Sequence, residues 1–240
     1  MNPTLFAPGS AKSVAHRGLS GLYPENSVEA FREAAKLPYF GIETDVDVTA
    51  DGHFVLMHDH TTGRTGDRDL PVRESTLAAL SEVRLLGKDG LPREDLRVPM
   101  LRDYLDICRE GDKVCVLELK VRFTEDEVAR ILAEVDAAGC RDRMIYISFF
   151  MENLEHLRKL RPDCTVQFLI SQWTEELLPT LIEKKMDLDI HYGALDEEKV
   201  RAVLSAGLTL NVWTVDDPAV AEKLAAWGVH QITTNILLGE

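Results

Sequence analysis

The alternation of apolar and polar positions between Ile42 and Val48 is the clearest local signal in the chain. In Ile42-Glu43-Thr44-Asp45-Val46-Asp47-Val48, a period of two sends Ile42, Val46 and Val48 to one face and Glu43, Asp45 and Asp47 to the other. The spacing predicts a strand with one acidic face. An Asp51-Gly52 pair follows, ahead of a second strand-like run, Phe54-Val55-Leu56-Met57, so the chain is expected to turn back as a hairpin. A turn centred on Asp51-Gly52 sets His58 roughly opposite Asp45. Upstream, Ser13-Val14-Ala15 predicts a strand that ends in His16-Arg17-Gly18. Between the two strands lies a helical pattern with Phe31, Ala34 and Ala35 inward. It opens at Asn26-Ser27-Val28-Glu29, which has the form of a capping box, and stops near Pro38. Strand, helix, strand is a βαβ unit.

From Thr61 to Pro99 the regular pattern breaks down into a Gly-, Pro-, Arg- and Asp-rich segment with one short helix expected through Leu77, Leu80 and Val83. This is too long for an ordinary connection, so residues 61–99 are expected to form an insertion over a site; Gly87 to Asp95 also fit an irregular surface excursion. Regularity then returns. Leu101, Leu105 and Cys108 mark a helix, Val114 to Lys120 an apolar strand, and Thr124-Glu125-Asp126-Glu127 a capping box opening a further helix. Strand starts recur near Met144, Val166, Leu188, Thr209 and His230, spaced by 22, 22, 21 and 21 residues. Thr174 and Asp217-Pro218 are expected helix starts. Together with Ser13, Ile42 and Val114 this makes eight parallel strands alternating with helices. The expected fold is therefore α/β, a (β/α)8 TIM barrel forming a single domain over residues 1–240, with a hairpin and small insertion between the second and third barrel strands. An open doubly wound sheet is the alternative, but no G-x-G-x-x-G follows the first strand, and such a site has no use for acids on the second. Only Asn235 to Glu240 follow the last strand, so the last helix is expected to be missing or vestigial.

A chain of 240 residues is close to the roughly 250 typical of such barrels. Its formal net charge of −14 argues against nucleic acid or an anionic membrane surface as a partner, so an anionic substrate needs a local positive patch or a metal. Cys108, Cys115, Cys140 and Cys164 show neither a C-x-x-C pair nor regular spacing and are expected to be reduced, mostly buried thiols. The N-terminus lacks the apolar core of a signal peptide, and no run is long enough to span a bilayer. The expectation is a cytoplasmic enzyme without stable membrane insertion. No helix announces an oligomer interface.

Sites in such barrels lie at the C-terminal ends of the strands, where His16, Glu43, Asp45, Glu118, Lys120, Ser148 and Trp213 all fall. Three carboxylates facing inward repel one another, and a desolvated unpaired charge costs several kcal/mol. A divalent cation removes the problem, and all-oxygen ligation by Glu43, Asp45 and Glu118 suits Mg2+ or Ca2+ better than zinc. A Glu118–Lys120 pair is the plainer alternative, but it leaves Glu43 and Asp45 unexplained. Asp47, further into the hairpin, is expected to be solvated. Of the remaining histidines only His191 has a position from which it could face the mouth.

Several of these short stretches, taken in order, resemble the glycerophosphodiester phosphodiesterases. They are VAHRG, Pro24-Glu25-Asn26-Ser27 with Ala30-Phe31, Glu43-x-Asp45, Asp51-Gly52, His58-Asp59, Glu118-Leu119-Lys120, Ser148-Phe149 and Val212-Trp213-Thr214-Val215. The resemblance runs from His16 to about Thr234. It implies hydrolysis of a small-molecule glycerophosphodiester to sn-glycerol 3-phosphate and an alcohol, with a metal at the same three carboxylates. His16 and His58 are implied as general acid and base, and the glycerol C2 hydroxyl as a possible first attacker that gives a cyclic phosphate. Within that chemistry Arg17 and Lys120 can neutralise the phosphoryl oxygens, and Trp213 can form an apolar wall against the glycerol. The insertion is implied to cap the barrel mouth. Two departures stand out: Ser27 replaces the usual threonine, and Thr234-Asn235 stands where Thr-Asp followed by proline is common, which removes a charge. A lyase that stops at the cyclic phosphate and a non-catalytic phosphodiester-binding module are the rival readings.

Overall fold

The acidic strand of the sequence, β3 (Gly41–Val48), is buried along its whole length because it has a packing partner on every side. It lies in parallel between β2 (Lys12–Ala15) and β7 (Val114–Leu119), and its far end turns back antiparallel into β4 (Phe54–Leu56). The computed structural model describes residues 2–7 and 9–239. From β7 the sheet continues in parallel through β8 (Met144–Ser148), β9 (Thr165–Ile170), β10 (Asp187–His191), β11 (Leu210–Trp213) and β12 (Gln231–Thr234), which pairs with β2 and closes the barrel. The eight parallel strands start within one residue of the expected positions.

Around the barrel run α1 (Val28–Ala35), α3 (Leu101–Glu110), α4 (Glu125–Ala137), α5 (Met151–Leu160), α6 (Leu177–Lys184), α7 (Glu197–Ser205) and α8 (Pro218–Ala226). Their apolar stripes form the main core against the outer faces of the strands. Phe31 of α1 meets Tyr104 of α3 edge-on at 5.3 Å, both fully buried. Burial of such a side chain is worth about 1.5–3 kcal/mol, so pairs like this carry the helix layer. Tyr104 also donates its hydroxyl hydrogen to the Ile42 carbonyl at 2.7 Å, pinning α3 to the strand that carries the acids. Thr124 and Glu127 form the expected capping box, and Asp217 caps α8 ahead of Pro218.

Four local expectations need correction. The hairpin loop has three residues, Ala50-Asp51-Gly52, with Gly52 at φ +84°, which shifts the pairing by one. Met57, rather than His58, is therefore opposite Asp45, donating its N–H to the Asp45 carbonyl at 3.0 Å. The cap of α1 is Ser27, which accepts from Ala30 N–H, and no capping box forms with Glu29 because Asn26 is drawn inward to the acids. Thr174 offers only its carbonyl to Leu177 N–H, and the α6 cap is Glu176. Asp47 is 1% exposed and accepts from Arg73 and from Val48 N–H instead of facing water.

Residues 61–99 have their own structure. They contain α2 (Leu77–Ser81) and an antiparallel pair, β5 (Arg84–Leu86) with β6 (Pro92–Arg97), so Gly87 to Asp95 belong largely to a hairpin. A small apolar cluster with Val72, Leu80, Val83, Leu85, Leu96 and Val98 at its centre seats the segment on Val55 and Met57 of the β3–β4 hairpin arm. No helix follows β12 among the described residues. The short strand β13 (Leu237–Gly239) pairs there with β1 (Thr4–Phe6), two elements the sequence pattern was too short to reveal.

Candidate active site

His16 directly follows β2, and its backbone N–H donates to the Thr234 carbonyl, which fixes the strand end against β12. The next two residues leave the strand with positive φ, Arg17 at +54° and Gly18 at +77°. Gly18 has no room for a side chain, since a Cβ there would stand 2.7 Å from the Ala30 backbone carbon of α1. The tight turn aims the Arg17 backbone N–H at Glu43 Oε2 (2.8 Å) and its guanidinium at Glu25 Oε1 (2.8 Å), with Nε 3.4 Å from Asp45 Oδ2.

Glu43 and Asp45 point into the lumen from β3, and Glu118 joins them from the register position beside Asp45 on β7. Each offers a carboxylate oxygen within 4.8 Å of the others. Lys120, just past β7, places its ammonium 3.1 Å from Glu118 Oε1 and 3.3 Å from Asp45 Oδ1. The Glu118–Lys120 pair therefore exists, and it reaches Asp45 as well. Even so, Asp45 Oδ1 and Glu118 Oε1 are buried and accept no hydrogen bond of normal geometry. Burial and the Asp45 charge push the Glu118 carboxyl up to about 8 and raise Glu43 well above the usual range. Asp45 is equally buried, but Lys120 and Arg17 hold its carboxylate below the ordinary range. Desolvated carboxylates with uncommitted oxygens and no sulfur or imidazole among them are a donor set that fits a hard cation such as Mg2+ or Ca2+.

Both histidines are held through Nδ1, which leaves Nε2 for the cavity. His16 Nδ1 faces Asn235 Oδ1 at 2.8 Å. The amide is oriented by Asp216, whose carboxylate accepts from Asn235 Nδ2 (2.6 Å) and N (2.8 Å), so Oδ1 is the acceptor and the His16 proton sits on Nδ1. His58 Nδ1 meets Asp59 Oδ1 at 2.6 Å, and Asp59 is clamped by Arg64, which also grips Glu25 through both of its terminal nitrogens. Burial, assisted by Arg17, lowers His16 to about 4; burial also lowers His58, against the pull of Asp45.

The structure gathers the two histidines, the two cations, the three carboxylates and Trp213 in one place. His16, Arg17, Glu43, His58, Glu118, Lys120 and Trp213 line one cavity of about 190 Å3, with Asp45 buried beside them in the carboxylate group. Trp213 forms a wall with Phe149 at 5.7 Å, and His191 braces it edge-on from behind at 5.3 Å. Ser148 takes no part, because its hydroxyl is spent on the Leu119 carbonyl. The sequence named Asn26 within a helix-start stretch, Asp59 beside His58 and Asn235 as a departure from the family pattern, but gave none of them a supporting role and did not name Arg64; in the structure Asn26 donates to Asp45 Oδ2 at 2.9 Å. Of the four, only Arg64 had no visible signal.

A model of the glycerophosphoryl diester phosphodiesterase family matches residues 16–237. The chain is 30% identical to a glycerophosphodiester phosphodiesterase of Bacillus subtilis (strain 168), an alignment covering 96% of this chain and 85% of the relative. It is 29% identical to one from Caldanaerobacter subterraneus subsp. tengcongensis over 92% and 93% of the two chains. Among solved structures, a glycerophosphodiester phosphodiesterase from Parabacteroides distasonis superposes with a TM-score of 0.79 at 29% identity, covering 95% and 93%. A phosphodiesterase from Oleispira antarctica, solved with sn-glycerol-3-phosphate, shares the fold with a TM-score of 0.87 at 24% identity over 93% and 92%. With motif, barrel and cavity in agreement, the chain belongs to the glycerophosphoryl diester phosphodiesterase family, a family of phosphoric diester hydrolases.

Proposed function

We propose that this protein hydrolyses glycerophosphodiesters to sn-glycerol 3-phosphate and an alcohol, with a divalent cation held by Glu43, Asp45 and Glu118 and with His16 and His58 moving the protons. The observation that carries the reading is the convergence of two Nδ1-anchored histidines, two cationic side chains and three clustered carboxylates on one cavity. When bound, the cation supplies positive charge to the phosphoryl oxygens and lowers the pKa of a hydroxyl beside it.

The chain's own residues do the rest. Arg17 and Lys120 lie beside the carboxylates on the cavity wall and bind the remaining phosphoryl charge. Asn235 and Asp59 fix the tautomers so that each histidine presents Nε2. One imidazole takes the proton from the attacking hydroxyl, either the glycerol C2 hydroxyl or water, as the new P–O bond forms. The other gives a proton to the alkoxide as the old P–O bond breaks. If the C2 hydroxyl attacks first, water opens the cyclic phosphate by the same steps with the histidines' roles exchanged. The insertion at residues 61–99 caps the mouth and bears on which alcohol fits: Lys88 reaches across to the Ser20 carbonyl at 2.8 Å and Arg93 approaches Glu29. Four buried free thiols support the reducing cytoplasm expected from the sequence.

The test is release of sn-glycerol 3-phosphate from glycerophosphocholine and glycerophosphoglycerol with Mg2+, Ca2+ or excess chelator, for wild type, His16→Ala and His58→Ala. We expect metal-dependent product, reduced by about 10²–10⁴-fold in either variant. Accumulated cyclic phosphate would replace hydrolysis with the lyase reading, and a folded protein inert toward every diester and metal would leave a binding module.

A further inference from the structure

The barrel lumen is apolar on one side and polar on the other. Val14, Val116, Ile145, Ile147 and Leu169 pack together from β2, β7, β8 and β9. Facing them from β9 to β12 are Gln167, Asp189, Asn211, Gln231 and Thr233, all buried. Most of these polar groups pair among themselves: Gln167 Nε2 donates to Gln231 Oε1 at 3.1 Å, and Asn211 Nδ2 donates to Thr233 Oγ1 at 3.0 Å. Gln167 Oε1 is left without a partner, but of these five only Asp189 and Thr233 line the active-site cavity, and Thr233 is paired with Asn211. Asp189 is 1% exposed, it lines the cavity that holds the catalytic histidines, and its Oδ1 has no hydrogen-bond partner. Its register neighbours are Leu169 and Asn211, the first apolar and the second an amide that pairs with Thr233 and also approaches the Asp189 carboxyl, leaving Oδ1 unpartnered. An unsatisfied buried acceptor costs about 1–3 kcal/mol, and an ionised one more. A leucine would fill the lumen without that cost, as Leu169 does beside it.

We infer that Asp189 is a hydroxyl-binding group at the floor of the active-site cavity, and that it receives a hydroxyl of the substrate's glycerol moiety. The inference rests on the phosphodiester reading of the site. With the phosphate held between Arg17, Lys120 and the carboxylates, a glycerol reaching inward passes between Trp213, Phe149, Ile147 and Leu169. Those side chains offer a hydroxyl only apolar surface, except for the single Trp213 Nε1–H. Asp189 lies beyond them with an uncommitted oxygen. A carboxyl accepts and, when protonated, also donates, which matches a hydroxyl that does both. The leaving alcohol must vary and depart, so it belongs toward the open mouth.

The experiment compares binding of sn-glycerol 3-phosphate and propyl phosphate, which lacks both hydroxyls, by calorimetry on enzyme supplied with Mg2+. Wild type, Asp189→Leu, Asp189→Ala and Asp189→Asn are measured, with the alanine variant serving if the leucine one does not fold. Wild type should prefer the glycerol compound. Asp189→Leu and Asp189→Ala should cut that preference about ten-fold while leaving propyl phosphate affinity unchanged, and Asp189→Asn should keep most of it. Equal weakening of both ligands, or no change in either, would overturn the assignment and leave Asp189 as a purely structural or water-binding group. Failure of wild type to bind either phosphate is a separate result that would remove the phosphodiester reading, and this inference with it.

Discussion

Asn235 shows how much one side chain can decide. A carboxylate at this position would face Asp216 across the 2.6 Å now spanned by the Asn235 amide, and like charges at that distance repel. The amide instead donates to Asp216 and accepts from His16, so the loss of charge relative to the family pattern is matched by the carboxylate next door. We expect Asn235→Ala to lower kcat by about ten-fold or more, part of the 10²–10⁴-fold typical of general acid–base catalysis, with KM little changed. Asp189 makes a second, pH-dependent prediction in the ligand-free protein. Burial pushes its carboxyl up to about 7, with Asn211 only partly opposing, against an unfolded value near 3.9. A raised folded pKa gives stability that is full below about 4 and lost as pH rises through about 7. Wild type should therefore lose stability relative to Asp189→Asn between pH 5 and pH 8, by a few kcal/mol in total. A flat difference in urea midpoints across that range would contradict the assignment of the buried carboxyl. The sequence made Glu43 and Asp45 legible through a period-two pattern, His16 and Glu118 through apolar strands that end beside them, and His58 through the hairpin arm and the motif it shares with Asp59. It could not show the roles of Asn235 or Arg64, which depend on contacts between residues 219 and 39 positions apart.

At the scale of elements, the barrel strands were legible because apolar runs recur at minimal βα spacing; β1, β5 and β13 were not because three residues outside that repeat show no period, and β6 (Pro92–Arg97) was not because Leu96 is its only buried apolar side chain. The insertion's contribution to the site was hidden for the same reasons. Arg64, from that segment, bridges Glu25 of the first loop and Asp59 of the hairpin arm, and so holds the carboxylate that orients His58. Its side chain is 47% exposed, and exposed ion pairs are worth only about 0–1 kcal/mol, so the bridge matters for geometry more than for stability. Arg64→Ala should leave the melting temperature within a few degrees of wild type yet lower kcat about ten-fold. Arg64→Lys should restore little, because a point charge cannot hold both carboxylates as the planar fork does. Equal kcat in Arg64→Ala and wild type would show that Asp59 orients His58 without the insertion.

Across the whole molecule, the carboxylate cluster links metal, protons and stability. Glu43, Asp45 and Glu118 come from two strands that pair directly in the barrel wall, so a cation binding all three binds only the folded chain. Such a ligand at a hundred times its dissociation constant adds about 2.7 kcal/mol. For a chain of 240 residues that corresponds to roughly 5–10 °C in melting temperature. The gain should also depend on pH in a definite direction. Glu118 stays protonated in the metal-free fold up to about 8, and Glu43 is raised as well, so binding must displace protons and the apparent affinity should climb as pH rises from 6 to 8. Lys120 works the other way: it already compensates Asp45 and Glu118, which lets the metal-free protein fold but obliges the ammonium to share the acids when a cation arrives. Thermal melts with Mg2+, Ca2+ or chelator at pH 6 and pH 8 test this directly. We expect a metal-induced rise in wild type that is larger at pH 8 and absent in Asp45→Asn. A rise of equal size at both pH values, or one that persists in Asp45→Asn, would place the cation away from the three carboxylates.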